Sequence, residues 1–152
     1  MRLGVLTGLR AEARIAAGLG LVVAGGGGRD GAARAAAALV RAGVEGLLSF
    51  GVAAGLDPAL AAGALLVPRA VQVGGRAVAC DARLLGWLGG ATVELLADAG
   101  TLLATPAAKQ RLWAATGAAA ADLESGTLAL AAEAAGLPFA VLRAVCDPAG
   151  RG

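Results

Sequence analysis

The residues of this chain that can move protons or attack a bond are eleven acids, two cysteines and one lysine, for it contains no histidine. That absence removes the commonest general base, any Ser-His-Asp triad and most zinc sites. Acid–base chemistry therefore falls to Asp and Glu, or to Cys80, Cys146 or the single lysine, Lys109. No metal site is expected. Both cysteines also read as small buried apolar residues, and with no CxxC pair they form no disulfide framework, so a reducing compartment is expected.

Carboxylates mark two short segments. Ala121-Asp122-Leu123-Glu124-Ser125-Gly126 heads a predicted helix, and Arg143-Ala144-Val145-Cys146-Asp147-Pro148 closes a predicted strand. A third block, Ser49 to Pro58 followed by Gly63 to Pro68, is a buried strand opening into a small-residue loop and then a second strand. Taken singly, each carboxylate reads equally as a helix cap or a solvated charge, and Glu124 as a complement to its helix dipole. Gly26 to Gly31 spells G-x-G-x-x-G between a predicted strand and a helix. A dinucleotide site would need an acid at the end of the next strand. That strand ends at Ser49-Phe50, and Glu45 stands at its other end. The run fits better the close approach of an anion or sugar to backbone N–H groups at a helix N-terminus. Gly26 and Gly28 would form that loop, with Arg29 and Arg10 as its basic partners. A flexible turn is the plainer alternative.

These segments must be held by a fold, and the bulk properties bound it. The 152 residues suit one domain, 1–152, with a core of its own. Hydrophobic residues make up 58% and aromatic ones only 3%, so elements must pack by close backbone approach. A net charge of +2 without a basic, aromatic-studded stripe argues against a nucleic-acid partner. No charge-free apolar run reaches the ~18 residues of a membrane span. Leu3 to Leu9, behind Arg2 and ahead of Ala11-Glu12-Ala13, lies at the short limit of a signal peptide and reads as a first strand. A cytoplasmic location is expected.

Short apolar runs alternate with helical stretches, the pattern of an α/β domain. Strands are predicted at 3–7, 21–24, 46–50, 65–67, 71–73, 77–80, 102–105 and 139–145. The pair 71–73 and 77–80 forms a hairpin about Gly74-Gly75. Helices are predicted around 12–17, from an Asp30 cap to Arg41 with Gly43 beyond, over 106–115, and over 124–135 before Gly136. The stretch around Trp87 is ambiguous.

Together and in this order, Gly8 with Glu12, the Gly25 to Arg29 loop, the Ser49 to Pro68 block, Asp122-Leu123-Glu124-Ser125 and Cys146-Asp147 carry a resemblance over nearly the whole chain. The sequence resembles the nucleoside phosphorylase superfamily, on the branch of the methylthioadenosine/S-adenosylhomocysteine nucleosidases. Arg10 to Ala16, Gly55 to Pro58 and Cys146 to Pro148 are most similar to the hopanoid-biosynthesis-associated phosphorylase. The resemblance implies a three-layer α/β domain around a central mixed β-sheet. It also implies cleavage of an adenosine-like N-glycosidic bond, with adenosylhopane as a candidate substrate. Asp147 would be the general acid at purine N7. Glu12 would activate the attacking water, and Glu124 would accept hydrogen bonds from the ribose hydroxyls. Two separated carboxylates serve glycoside hydrolysis in the same way.

The sequence departs from that family in several places. Val52, after Gly51, stands where the family's small-residue loop carries a Ser or Thr that touches the nucleophile, which favours water. Leu123 replaces the methionine usual behind the ribose, a nearly volume-conserving change. The segment between Ala79 and Ala118 is compressed. The family continues past Asp147 into a long C-terminal helix. Without it, weak activity and self-association into a homo-oligomer are expected, since an apolar face would lie open. No cofactor is expected beyond phosphate as a co-substrate. The alternatives are a purine nucleoside phosphorylase acting on a soluble nucleoside, and a non-catalytic nucleoside-binding or assembly subunit.

Overall fold

The computed structural model describes residues 1–151. Its strands are β1 (Leu3–Thr7), β2 (Leu21–Ala24), β3 (Gly46–Gly55), β4 (Leu65–Leu66), β5 (Pro68–Val73), β6 (Arg76–Ala79), β7 (Val93–Asp98), β8 (Ala120–Asp122) and β9 (Phe139–Asp147). The helices are α1 (Arg10–Ala16), α2 (Gly28–Arg41), α3 (Ala82–Trp87), α4 (Pro106–Thr116) and α5 (Ser125–Ala135). All nine strands join one sheet, in the order β2-β1-β3-β8-β7-β5-β6, with β9 pairing β3 and β4 off that path. The pairs β1–β2, β1–β3, β3–β9, β5–β7 and β7–β8 are parallel, whereas β3–β8, β4–β9 and β5–β6 are antiparallel. The sheet is therefore mixed.

Alternation along the central strands makes the layers. In a strand, successive side chains point to opposite faces. Leu6, Leu47, Phe139 and Val141 enter one core with Ala32, Ala35, Ala36 and Leu39 of α2 and Leu128, Ala129 and Ala132 of α5. Leu3, Val5, Leu48 and Ala140 enter another with Ala16 of α1 and Leu84 of α3. Helices thus cover both faces, and the three-layer α/β expectation holds. Alanine supplies much of both helical faces, which brings α2 and α5 close to the sheet.

Several elements differ from the sequence reading. The run 102–105 is not a strand. The strand of this region is β7, which ends at Asp98, upstream of Leu102. Leu102 is 80% exposed, so its apolar character reflects a surface role rather than a core one. The ambiguous stretch around Trp87 contains the short helix α3, capped by Asp81, whose carboxylate accepts the N–H of Leu84 at 3.0 Å. Asp30 lies inside the first turn of α2, whose N-cap is Gly27. The buried strand 46–50 continues through the small-residue loop to Gly55, because β9 pairs with it all the way to Ala54. Strand β8, three residues long, is too short to leave a period in the sequence.

Candidate active site

Strands β1, β3 and β9 run parallel and deliver their C-terminal ends to one side of the sheet, where open α/β sheets bind ligands. A cleft of about 270 Å³ opens there. Val52, Leu123, Glu124 and Asp147 line it, with Gly28 at the start of α2 and Leu102 beyond β7.

Asp147 reaches the cleft through an irregularity. The β3–β9 register pairs Ala53 with Val145 but Ala54 with Asp147, so Cys146 is an extra residue on β9. Such a bulge breaks the period-2 alternation and re-aims the next side chain. One carboxylate oxygen of Asp147, Oδ2, lies 2.7 Å from the ammonium of Lys109 on α4, whose side chain is wholly buried.

Glu12 sits on the third residue of α1, nearly buried. Its Oε1 accepts the N–H groups of Gly8 at 3.1 Å and Leu9 at 2.8 Å. Its Oε2 accepts the N–H of Val52 at 3.1 Å. A carboxylate offers about four lone-pair sites, so three backbone donors fix the group and leave Oε2 room for one more partner. Gly51 keeps that space open. A Cβ at Gly51 would stand 2.5 Å from Glu12 Oε2 and 2.7 Å from Arg143 Nη1.

Glu124 is the N-cap residue of α5, but its side chain does not cap the helix. Asp122 does that work instead, its Oδ1 accepting the N–H of Ser125 at 3.2 Å. The carboxylate of Glu124 is thereby left to face the cleft. A Cβ at Gly8 would lie 2.5 Å from Glu124 Oε1 and 3.4 Å from Glu12 Oε1, so the two acids flank the same point. Burial pushes the Glu124 carboxyl above its ordinary value. The Arg143 guanidinium pulls the other way, and Asp122 and Glu12 add to the rise.

Arg143, 1% exposed, ties these groups together from below. Its Nε lies 2.9 Å from Asp122 Oδ2 and its Nη1 3.4 Å from Glu124 Oε2. The Nε contact is an ion pair without hydrogen-bond alignment. Nη1 also donates to the carbonyl of Val52 at 3.0 Å, and Nη2 donates to Ser49 Oγ. Ser49 and Ser125 share a hydrogen bond of 2.9 Å, and Ser125 Oγ donates to Asp122. A buried cation among carboxylates and hydroxyls is the arrangement a low-dielectric site requires.

The glycine loop lies beside the cleft. Gly26, Gly27 and Gly28 all have positive φ, which turns the chain from β2 into α2, and Gly27 and Gly28 face the cleft. Gly26 is bound to the β1 end, its N–H donating to Gly8 O at 2.8 Å. Arg29 is paired with Asp98 at 3.0 Å. Arg10 is exposed on the first turn of α1 and does not line the cleft. Of the cysteines, Cys146 borders the cleft, whereas burial pushes the Cys80 thiol up to about 12, which makes it inert at neutral pH. Among the described residues, no cluster of three or more His, Cys, Asp or Glu is arranged to hold a metal ion.

Sequence reasoning quoted Arg143 and Asp122 without a role for either, passed over Ser49 and Ser125 as site members, and named Lys109 only as an acid–base candidate, not as the partner of Asp147. One signal was present: a lone arginine inside the apolar run Phe139 to Val145 must be buried with partners.

The chain resembles solved structures over nearly its whole length. S-adenosylhomocysteine nucleosidase from Streptococcus pyogenes, solved with 5-methylthiotubericidin, superposes with a TM-score of 0.88 at 20% identity, covering 99% of this chain and 85% of that one. The 5'-methylthioadenosine/S-adenosylhomocysteine nucleosidase of S. pneumoniae, with the transition-state inhibitor MT-ImmA, gives 0.87 at 17% identity, covering 99% and 87%. The Campylobacter jejuni nucleosidase gives 0.84 at 18%, covering 100% and 88%. This chain has the nucleosidase fold. The family profile described as the Phosphorylase superfamily matches residues 96–152, the part of the nucleosidase fold that carries α4, Glu124 and Asp147. No curated protein matches the sequence.

Proposed function

We propose that the chain hydrolyses the N-glycosidic bond of an adenosine-like substrate and releases adenine. The observation that carries this reading is the convergence of Glu124 and Asp147 on one cleft, with Glu12 fixed beside it through Val52 N–H. Breaking the C1′–N9 bond leaves positive charge on the ribose and electrons on the purine. Asp147 gives a proton to N7, so the base departs neutral. Water adds to C1′ and passes its proton to Glu12. Glu124 accepts the ribose hydroxyls, and those bonds tighten as charge develops, which is where binding accelerates a reaction. Water as nucleophile is supported by Val52, which offers no hydroxyl, and by Arg29, which is engaged by Asp98.

Leu102 and Val52, 80% and 42% exposed, rim the cleft with apolar surface. That rim, with the sequence resemblance, supports an apolar group on the ribose, adenosylhopane being the candidate. A second reading, phosphorolysis, has one observation in its favour: the N-terminus of α2, led by Gly27 and Gly28, faces the cleft and suits an anion. Incubation with 5′-substituted adenosines with and without phosphate tests both. Adenine and free sugar without phosphate are expected. A sugar 1-phosphate that scales with added phosphate would select phosphorolysis, and binding without turnover would leave a nucleoside-binding subunit.

A further inference from the structure

Lys109 is the only lysine of the chain and its side chain is fully buried. An ammonium has three N–H donors and no acceptor. Here three close acceptors meet them: Asp147 Oδ2 at 2.7 Å, Pro148 O at 2.9 Å and Arg151 O. The carbonyl of Asp147 is further off, at 3.5 Å. A saturated buried ammonium is costly to disturb, because every acceptor it leaves would be unsatisfied. It therefore clamps the end of β9 and the turn after it onto α4.

The same geometry constrains the proton of Asp147. Oδ2 faces a group that can only donate, so a proton on Oδ2 would point N–H against O–H. The proton of the acid form belongs on Oδ1, the oxygen that Lys109 does not hold, and Asp147 lines the cleft. We propose that Lys109 is a positioning residue that holds Asp147 by Oδ2 and so presents its acidic proton on Oδ1 to the departing base. This rests on the proposed role of Asp147 as general acid. Lys109 does not line the cleft and acts through Asp147.

The test compares two leaving groups. Adenine needs a proton to depart, whereas 4-nitrophenolate does not. Wild type should cleave both 5'-methylthioadenosine and 4-nitrophenyl riboside. Lys109→Met should lose about 10²-fold or more in kcat on the adenosine substrate, the scale of general-acid catalysis, and keep nitrophenyl cleavage within a few-fold. Asp147→Asn should show the same split. Equal losses on both substrates, or none on either, would overturn the inference while leaving the nucleosidase reading intact. If the variant does not fold, or wild type spares the nitrophenyl riboside, wild-type protein labelled with ¹⁵N-lysine supplies a second readout. It should give one ammonium signal that moves as adenine saturates the site. An unmoved signal at calorimetric saturation overturns the inference, and no adenine binding by folded protein sinks both proposals.

Discussion

At the scale of single residues, Glu124 separates a site role from a structural one. Its pKa is raised in the folded chain, so the native state holds that proton more tightly than the unfolded one. The ionised carboxylate therefore costs stability. The cost is complete above the raised value and vanishes below the ordinary carboxylate value, so this contribution to stability falls as pH rises between the two. Glu124→Gln should abolish that slope. Urea titrations should find the variant gaining on wild type from acid to neutral pH, while kcat drops by more than ~10²-fold. Turnover near that of wild type would remove Glu124 from the site. Arg143 behaves oppositely. Arg143→Met leaves Asp122 buried without its cation, and breaking such a pair costs about 3–5 kcal/mol. Thermal unfolding should show the loss. The sequence singled out Glu12, Glu124 and Asp147 because their motifs stand in a recognisable order, and the structure sets Glu124 and Asp147 on one cleft with Glu12 bound to Val52 beside it. The pairing of Lys109 with Asp147 was not legible there, since a single lysine on a mixed helix carries no period and no motif that points to a partner.

At the scale of elements, the ends decide where the side chains go. Helix α4 begins with Thr105, whose hydroxyl accepts the N–H of Ala108 at 3.1 Å, followed by Pro106 at the first turn. Thr105→Ala should cost about 1 kcal/mol, the usual effect of a lost N-cap, and denaturant midpoints can check this. An unchanged midpoint would mean that the cap is not formed in solution. Strand β3 shows why the sequence located some elements and missed others. Its first half, Gly46 to Phe50, is a buried apolar run. Its second half, Gly51 to Gly55, is small residues that resemble a loop until β9 and β8 are seen to pair with them. The bulge at Cys146 is likewise invisible in sequence, because it exists only as a mismatch between two strands far apart in the chain. Gly51 is the element-scale test of the site. Gly51→Ala would push a Cβ onto Glu12 Oε2 and Arg143 Nη1, so turnover should fall by about 10²-fold, in keeping with general-base catalysis, and full activity would contradict the packing described.

At the scale of the whole molecule, the α/β alternation, the hairpin about Gly74-Gly75 and the glycine-rich entry to α2 were readable because each rests on local chemistry. The strand order was not, since pairing β3 with both β1 and β9 is a long-range choice. Several large apolar side chains remain exposed: Leu9, the N-cap residue of α1, Ile15 on α1, and Met1 and Trp87 beside a second groove with Leu3, Leu19 and Leu84. We propose that copies of the chain associate through such surface. Sedimentation velocity should show a species heavier than the 14.5 kDa monomer, and a single monomeric boundary at all concentrations would contradict this. The central claim is chemical: three carboxylates on a nucleosidase fold release adenine without histidine, metal or phosphate. The direct measurement is adenine formed by this protein from 5'-methylthioadenosine in phosphate-free, chelator-treated buffer, beside Asp147→Asn. One adenine and one free sugar per substrate are expected, with turnover abolished in the variant. Folded wild-type protein that releases no adenine, or an Asp147→Asn variant that releases it as fast as wild type, would contradict the account.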